Sequence, residues 1–374
     1  MKVLHIISSG GMYGAEAVIL NMSRMLLEAS HSSVVGVFSN SSNPNLQLHQ
    51  AASKEGLESH LIPCRGQLDR SAIAAIRNLA IQTGADVVHA HGFKADIYVV
   101  LALRGRGIPF VSTCHTWYDN DLLVTLYGKL DRLVLRRFAR VVAVSDEVRQ
   151  RLLKAGVRDE RIRMVRNGID LRPFDGAHPS LRTEAGESVL MVGLIGRLAW
   201  EKGVDVFLQA AARVLAESSA AKFVVVGEGP DRERLDRLID QLEIRGTVSM
   251  LGRRDDMPAV YASLDIMVSS SRQEGLPMAI LEGMASSLPL VASAVGEVPT
   301  VVQDGVTGLL VPAEDVERLA TSILELLRDA AKRKRFGAAA RKLIEDEYSA
   351  ERMTADYLRV YAEAIAAVKQ GAAK

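Results

Sequence analysis

The chain has 374 residues, room for two or three domains, and its 48% hydrophobic and 24% charged residues are an ordinary globular balance. A formal net charge of +1 and an aromatic content of 5% argue against a nucleic-acid binder, which would want a basic face and stacking platforms. Two cysteines without paired spacing, Cys64 and Cys114, argue for a reducing compartment and against a disulfide frame or a zinc site.

The near-zero total hides an asymmetry. Through Arg172 there are 22 Lys/Arg against 15 Asp/Glu, and after it 24 against 30. The apolar run 3–7 is too short for a signal peptide and no run approaches membrane-spanning length, so a cytoplasmic chain is expected.

Apolar runs of strand length alternate with helical patterns almost throughout, the signature of α/β architecture with parallel sheets covered on both faces. In the first half the expected strands are 3–7, 34–38, 59–62, 86–89, 110–113 and 140–144. Gly10, Gly11 and Gly14 fall between the first strand and the first helix. A dinucleotide fingerprint would read Gly-x-Gly-x-x-Gly with an acid closing the second strand; here the pattern is Gly-Gly-x-x-Gly and the strand closes on Ser39-Asn40, which disfavours a dehydrogenase. The turn still suits a loop that approaches a phosphate or an acceptor.

Seven of the eight histidines lie in this half. His5 alternates with Val3 and Ile7 in a strand and reads as a core residue. His89 and His91 flank Ala90 at a strand end, without acidic or cysteine partners nearby, so no metal site is expected. His115 differs, because it follows a strand and enters a loop. Lys129, Arg132, Arg136 and Arg140 recur at spacings of three, four and four, expected as one stripe of a helix. Such a stripe is either a solvated face or a contact for anionic lipid headgroups, and the basic front half supports the second modestly. A polar break with Pro173, Gly176, Pro179 and Gly186 reads as a linker over 173–187.

The second half restarts with strands 189–195, 223–226, 248–251, 266–269, 290–292 and 308–311. Gly196-Arg197 follows the first of them, with Glu201-Lys202-Gly203 ahead of a helix from Val204. Arg197 offers a planar fork and Lys202 a point charge for phosphate oxygens around one strand-to-helix turn. A strand read at this point over Leu264 to Val268 then leads into Ser271-Arg272-Gln273-Glu274-Gly275-Leu276-Pro277, opening a helix that carries Glu282. Pro277 suits the first helical position, Gly275 permits close approach to the backbone, and the first-turn amides make a seat for an anion. Glu274 would sit at the mouth of that seat and Glu282 about two turns in, roughly 10 Å away, near the span from a sugar to a nucleotide's ribose. Helical periodicity fills 314–368.

Taken in order, Gly10-Gly11-Met12-Tyr13-Gly14-Ala15-Glu16, His115-Thr116-Trp117, Val144-Ser145, Asn167-Gly168-Ile169-Asp170, Gly196-Arg197 with Glu201-Lys202-Gly203, Val226-Gly227-Glu228-Gly229-Pro230 and the Glu274/Glu282 pair resemble a retaining glycosyltransferase of family 4 over essentially the whole chain. The resemblance implies the GT-B architecture: two Rossmann-like domains facing a cleft, with an acceptor-binding domain 1–172, the linker 173–187, a nucleotide-sugar-binding domain 188–348, and a C-terminal helix within 349–374 that crosses back to the first domain.

It also implies a hexosyltransferase that takes a nucleotide-diphosphate sugar, UDP before GDP, and needs no metal or other cofactor. Arg197 and Lys202 would neutralise the pyrophosphate; Glu274, with amides near Gly275 and Leu276, would hold the transferred sugar; Pro277 would line the donor site with them; Glu282 would take the ribose hydroxyls. Gly11 would line the donor site as well, and Gly252, Arg253 and Met257 would flank the base. Gly10, Gly11, Tyr13, Gly14 and His115 are expected on the acceptor side, His115 also at the sugar's 6-hydroxyl or the reacting centre. No carboxylate nucleophile is evident in the first domain, where Asp119 and Asp121 are the nearest acids after His115, so front-face transfer by the leaving phosphate is expected. The acceptor would be a lipid-linked glycan or polysaccharide intermediate of the cell envelope, reached by a cytoplasmic enzyme peripheral to the inner membrane. Two rivals are a nucleotide-sugar epimerase on the same fold and a non-catalytic nucleotide-sugar-binding subunit.

Overall fold

Segments such as Val34-Val35-Gly36-Val37-Phe38 carry apolar side chains on both faces, which suits parallel strands covered by helices on each side. The computed structural model describes residues 1–9, 11–12, 14–40, 44, 46–66, 68–115, 133–182, 189–218 and 221–372. The chain divides into two compact units: Met1–Gly168 together with Ala350–Lys374, and Ile169–Ser349.

In the first unit, strands β1 (Lys2–Ile7), β2 (Ser32–Ser39), β3 (Glu58–Pro63), β4 (Val87–His91), β5 (Phe110–Cys114), β6 (Arg140–Ala143) and β7 (Ile162–Met164) form a sheet ordered β3-β2-β1-β4-β5-β6-β7. Every pairing is parallel. β1 and β4 are in register with His5 beside His89 and Ile7 beside His91. Alternation then decides the faces: Leu4, Ile6, Val88 and Ala90 join one apolar core, while the three histidines share the other face. The helix Ala350–Ala372 belongs to this unit, and its Tyr357 and Tyr361 are fully buried. Tyr361 Oη lies 2.8 Å from His89 Nδ1, and Tyr357 Oη lies 3.0 Å from Thr113 Oγ1.

The second unit repeats the plan with β8 (Leu190–Ile195), β9 (Ala221–Val226), β10 (Val248–Gly252), β11 (Ile266–Ser269), β12 (Leu290–Ser293) and β13 (Gly308–Val311), ordered β10-β9-β8-β11-β12-β13 and all parallel. In each sheet the first strand of the unit has its successor on one side and a later strand on the other. That reversal opens a crevice at the carboxyl ends of β1/β4 and of β8/β11, where open α/β sheets bind ligands.

Four expectations need correction. The segment expected as a linker belongs to the second unit through Arg182: Phe174 and Leu181 pack on its core, Phe174 meets Tyr261 edge to face, and Ser180 and Leu181 donate backbone N–H bonds to Ser263 Oγ. Its prolines and glycines mark turns, and the division falls earlier, at Gly168/Ile169. Gly186 and its neighbours 183–188 lie outside the described residues. The basic residues at 136 and 140 are not on a common helix, because helical backbone ends at Leu135 and Arg140 opens β6. Arg136 donates to the Ala155 carbonyl, Arg140 pairs with Glu363 at 2.7 Å, and Lys129 and Arg132 lie outside the described residues. Pro277 is the N-cap and the helix begins one residue later, at Met278. Finally, β11 starts at Ile266; Leu264 precedes it and fills the space beneath Gly193, where a Cβ would meet it at 2.5 Å. The edge strand β7 escaped notice because three residues with Arg163 at their centre give no periodicity to read.

Candidate active site

The chain leaves β8 at Ile195, passes Gly196 and Arg197, makes a short 3-10 turn over Trp200–Lys202, and enters the helix Val204–Glu217 through Gly203. Gly203 has φ +59°, and a Cβ there would stand 2.0 Å from the Ser270 carbonyl oxygen. Only glycine satisfies both the left-handed backbone and this approach. From the other side, β11 ends at Ser269 and its loop is sewn onto the first. Ser270 Oγ donates to the Gly203 carbonyl at 2.8 Å, and the Arg272 amide donates to the Glu201 carbonyl at 2.8 Å. The loop after β12 supports them from below: Gly296, φ +53°, touches the Glu274 carbonyl so closely that a Cβ would come within 1.8 Å.

This stitching brings Lys202 Nζ to 2.5 Å from Glu274 Oε1. Ser271 Oγ donates to the same oxygen at 2.7 Å. Among the described residues nothing hydrogen-bonds Oε2, so a largely buried carboxylate, 8% exposed, keeps one oxygen to offer. Arg197, 60% exposed, follows Gly196 in the loop after β8, with Glu201 at 4.0 Å. One cation and one oriented carboxylate therefore meet in the loop leading into the helix Met278–Ala285, whose dipole turns its positive end that way, an arrangement suited to an anion next to a hydroxyl-bearing group.

Glu282 lies two turns into that helix. The buried Tyr261 hydroxyl donates to its Oε2 at 2.8 Å. Burial pushes the Glu282 carboxyl above its usual range against the opposing pull of that bond, and burial likewise drives the Tyr261 phenol well upward. Arg272, unassigned from sequence, is structural: it chelates Asp205 at 2.9 and 3.1 Å, reaches Glu314 at 2.8 Å and lies over the Trp200 ring. Burial alone would raise the Asp205 carboxyl, but the hydrogen bonds and charge of Arg272 prevail and hold it low. Gly252 ends β10, with exposed Arg253 and half-buried Met257 beyond it, and a Gly227 amide to Gly252 carbonyl bond joins this end to the β9 loop. Gly275 is exposed, and a Cβ on it would meet nothing within 4 Å; Leu276 and Pro277 are half-buried.

In the first unit, Gly11 follows β1, its carbonyl taking a bond from Ser9 Oγ at 2.8 Å, and Gly14 opens the helix Gly14–Glu28. Gly10, Tyr13, Thr116, Trp117, Asp119 and Asp121 lie outside the described residues. His115 follows β5, with Nε2 3.1 Å from His91 Nδ1, and His91 Nε2 is 3.1 Å from His5 Nδ1. Burial holds His115 down to about 4 and His5 to about 3, and puts His91 well below the ordinary imidazole value. His5, His89 and His91 are close enough to share an ion, yet both ring nitrogens of His89 are engaged, with Tyr361 and with Thr113, so the cluster reads as a neutral hydrogen-bonded core. His5 is buried as expected of a core residue, but its Nε2 finds no partner.

Two family models match the chain: "Glycosyltransferase Family 4" over residues 12–172 and "Glycosyl transferases group 1" over 182–343. An alpha-D-kanosaminyltransferase of Streptomyces kanamyceticus is 30% identical over 70% of this chain and 73% of its own length. The chain belongs to glycosyltransferase family 4. A second relative, the N-acetyl-alpha-D-glucosaminyl L-malate synthase of Bacillus anthracis, is 26% identical over 88% of this chain and 87% of that one. The Anabaena protein HepE, solved in complex with UDP, superposes with a TM-score of 0.84 at 21% identity, covering 97% of this chain and all of that one, which gives this family 4 member the GT-B fold. It is a glycosyltransferase, as both matched models and the kanosaminyltransferase relative are named. Tyr261, Ser271 and Gly296 were missed from sequence; only Ser271, inside the acidic motif, carried a local signal.

Proposed function

We propose that this glycosyltransferase moves a hexose-type sugar from a nucleotide-diphosphate sugar to a hydroxyl acceptor with retention of configuration and without a metal, UDP-sugars being preferred and GDP-sugars next. The observation that carries the reading is the Lys202–Glu274–Ser271 cluster at the carboxyl ends of β8 and β11. Lys202 and Arg197 balance the pyrophosphate as the bond between C1 and the phosphate oxygen breaks, taking the role a divalent cation would otherwise fill. Glu274, aimed by Lys202 and Ser271, accepts hydrogen bonds from hydroxyls of the transferred sugar. Glu282, held by Tyr261, accepts those of the ribose. Gly275, Leu276 and Pro277 border the phosphates, and Gly252, Arg253 and Met257 the base.

From the first unit, Gly11, Gly14 and His115 are assigned to the acceptor and the sugar. The leaving phosphate oxygen takes the proton of the attacking hydroxyl as that oxygen bonds to C1 on the same face, so protons and charge balance without an enzymic nucleophile. A lipid-linked glycan or polysaccharide intermediate of the cell envelope is the acceptor class proposed, reached by a cytoplasmic enzyme peripheral to the inner leaflet; among the described residues no helix is long and apolar enough to cross a membrane. A small soluble acceptor is the second reading, favoured by relatives named for malate and for D-inositol 3-phosphate.

The test is incubation with a panel of UDP-, GDP- and ADP-sugars, with and without candidate acceptors, reading free nucleoside diphosphate and the anomeric form of any product. Release with one donor, lost in Glu274→Ala and Lys202→Ala, supports the reading. Nucleotide binding without release under any acceptor favours a non-catalytic binding subunit, and an epimerised donor with no diphosphate released favours the epimerase.

A further inference from the structure

Three imidazoles form an unbranched chain in the first unit: His5 Nδ1 to His91 Nε2, then His91 Nδ1 to His115 Nε2, both at 3.1 Å. The two end atoms, His5 Nε2 and His115 Nδ1, are buried without a partner. A neutral imidazole has one N–H and one lone pair, so its two nitrogens cannot both donate. Each contact needs one proton, and His91 has one to give.

Only two registers satisfy both contacts. In the first, His5 Nδ1–H donates to His91, His91 Nδ1–H donates to His115, and His115 carries its proton on Nδ1. In the second every proton moves to the opposite nitrogen, leaving an N–H on His5 Nε2. The registers differ in where they strand a donor. His5 is fully buried, so an N–H there stays unmade for the life of the fold. His115 is a half-buried residue at the carboxyl end of β5, the ligand-binding end of an open α/β sheet, so its enclosed Nδ1 is the end of the chain that a bound hydroxyl can satisfy. Orphaned buried donors are rarer and costlier than orphaned acceptors, which selects the first register.

We propose that His91, with His5 behind it, is a positioning residue that fixes His115 as the neutral tautomer protonated on Nδ1, presenting an N–H to a hydroxyl of the transferred sugar. The inference rests on the sugar-side role proposed for His115. Neutrality of all three rings, which the chain requires, agrees with the burial that holds each imidazole below its ordinary value. His89, whose ring centroid is 4.0 Å from that of His91, is fastened by Tyr361 and Thr113 and closes that side of the relay.

The test reads the tautomers directly. Histidine labelled with nitrogen-15 gives distinct signals for protonated and bare ring nitrogens in long-range proton–nitrogen correlation spectra at neutral pH. The expected wild-type result is a protonated Nδ1 and a bare Nε2 on His115, with the same polarity on His5 and His91. In His91→Phe that preference should vanish and kcat should fall about tenfold, the worth of one hydrogen bond, with little change in donor KM. His91→Asn, whose amide N–H can stand where Nδ1–H stood, should restore both and also controls for folding. A proton on His115 Nε2 in the wild type, or an unchanged His115 tautomer in His91→Phe, overturns the proposal. Absence of sugar transfer by the wild type would sink the functional reading instead, since the tautomer measurement needs no turnover.

Discussion

Lys202 and Glu274, 72 residues apart in sequence, are joined in the fold by a 2.5 Å contact between Nζ and Oε1. The two groups assigned to different parts of a donor are therefore one positioned unit before any donor arrives. Removing either leaves the other misdirected as well as missing its partner.

Glu274→Ala and Lys202→Ala are each expected to lower kcat by about 10²- to 10³-fold, the range seen when one transition-state contact is lost. The double variant should cost little more than the worse single one, because groups that act together are not additive. A four-protein comparison of kcat/KM checks this; fully additive losses would mean that the two act independently.

Gly203→Ala and Gly275→Ala should separate backbone strain from open space. The first forces a left-handed residue against the Ser270 carbonyl and is expected to cost at least about 2 kcal/mol. The second meets no neighbour and should stay within about 0.5 kcal/mol of the parent. Urea unfolding of the two variants provides the comparison.

Tyr261→Phe deletes the hydrogen bond that opposes the burial of Glu282. The Glu282 carboxyl should then rise further, since the bond favours the ionised form and burial disfavours it. Calorimetric titration with the preferred nucleotide should show roughly tenfold weaker binding, with the midpoint of its acid limb moved to higher pH. An unmoved midpoint would separate Glu282 from the nucleotide.

Acid should destabilise the first unit. His5 and His115 titrate at about 3 and about 4 when folded, below the ordinary 6.5, because burial penalises their charged forms. A depressed folded value means the unfolded chain binds protons first, so this stability is complete above about 6.5 and is lost as pH falls toward the folded values. Between about pH 6.5 and about pH 5 each ring should cost roughly 2 kcal/mol. Thermal unfolding of the wild type beside His5→Phe would show a shallower acid slope in the variant.

Tyr361→Phe would leave His89 Nδ1 buried without a partner, a loss of roughly 1–3 kcal/mol. The helix Ala350–Ala372 should then exchange its amide protons faster, which hydrogen-exchange mass spectrometry reads peptide by peptide.

The strands of the second unit were legible because each is an apolar run of the right length, whereas β7 has three residues and an arginine at its centre. The stretch around 173–182 misled because prolines and glycines report turns whether or not a boundary follows; Phe174 and Leu181, spaced too far apart to show a period, are what tie it to the second unit. The basic stripe misled for a related reason: spacings of three and four fit a helix, but Arg140 lies in β6 and its charge is met by Glu363 from the C-terminal helix.

The sequence by itself determined the parallel α/β plan, the glycines at strand-to-helix turns, the presence of Arg197, Lys202 and Glu274 near strand ends and of Glu282 in the helix that follows, because periodicity and turn chemistry are local. Only the tertiary structure decided that Lys202 holds Glu274, that Tyr261 underlies Glu282, and that His5, His91 and His115 form one hydrogen-bonded line. Those contacts depend on strand order, β9-β8-β11 in one sheet and β1-β4-β5 in the other, which makes neighbours of strands far apart in the chain. Side chains meet across such neighbours by register and depth of burial, and neither quantity is written in any short window of sequence.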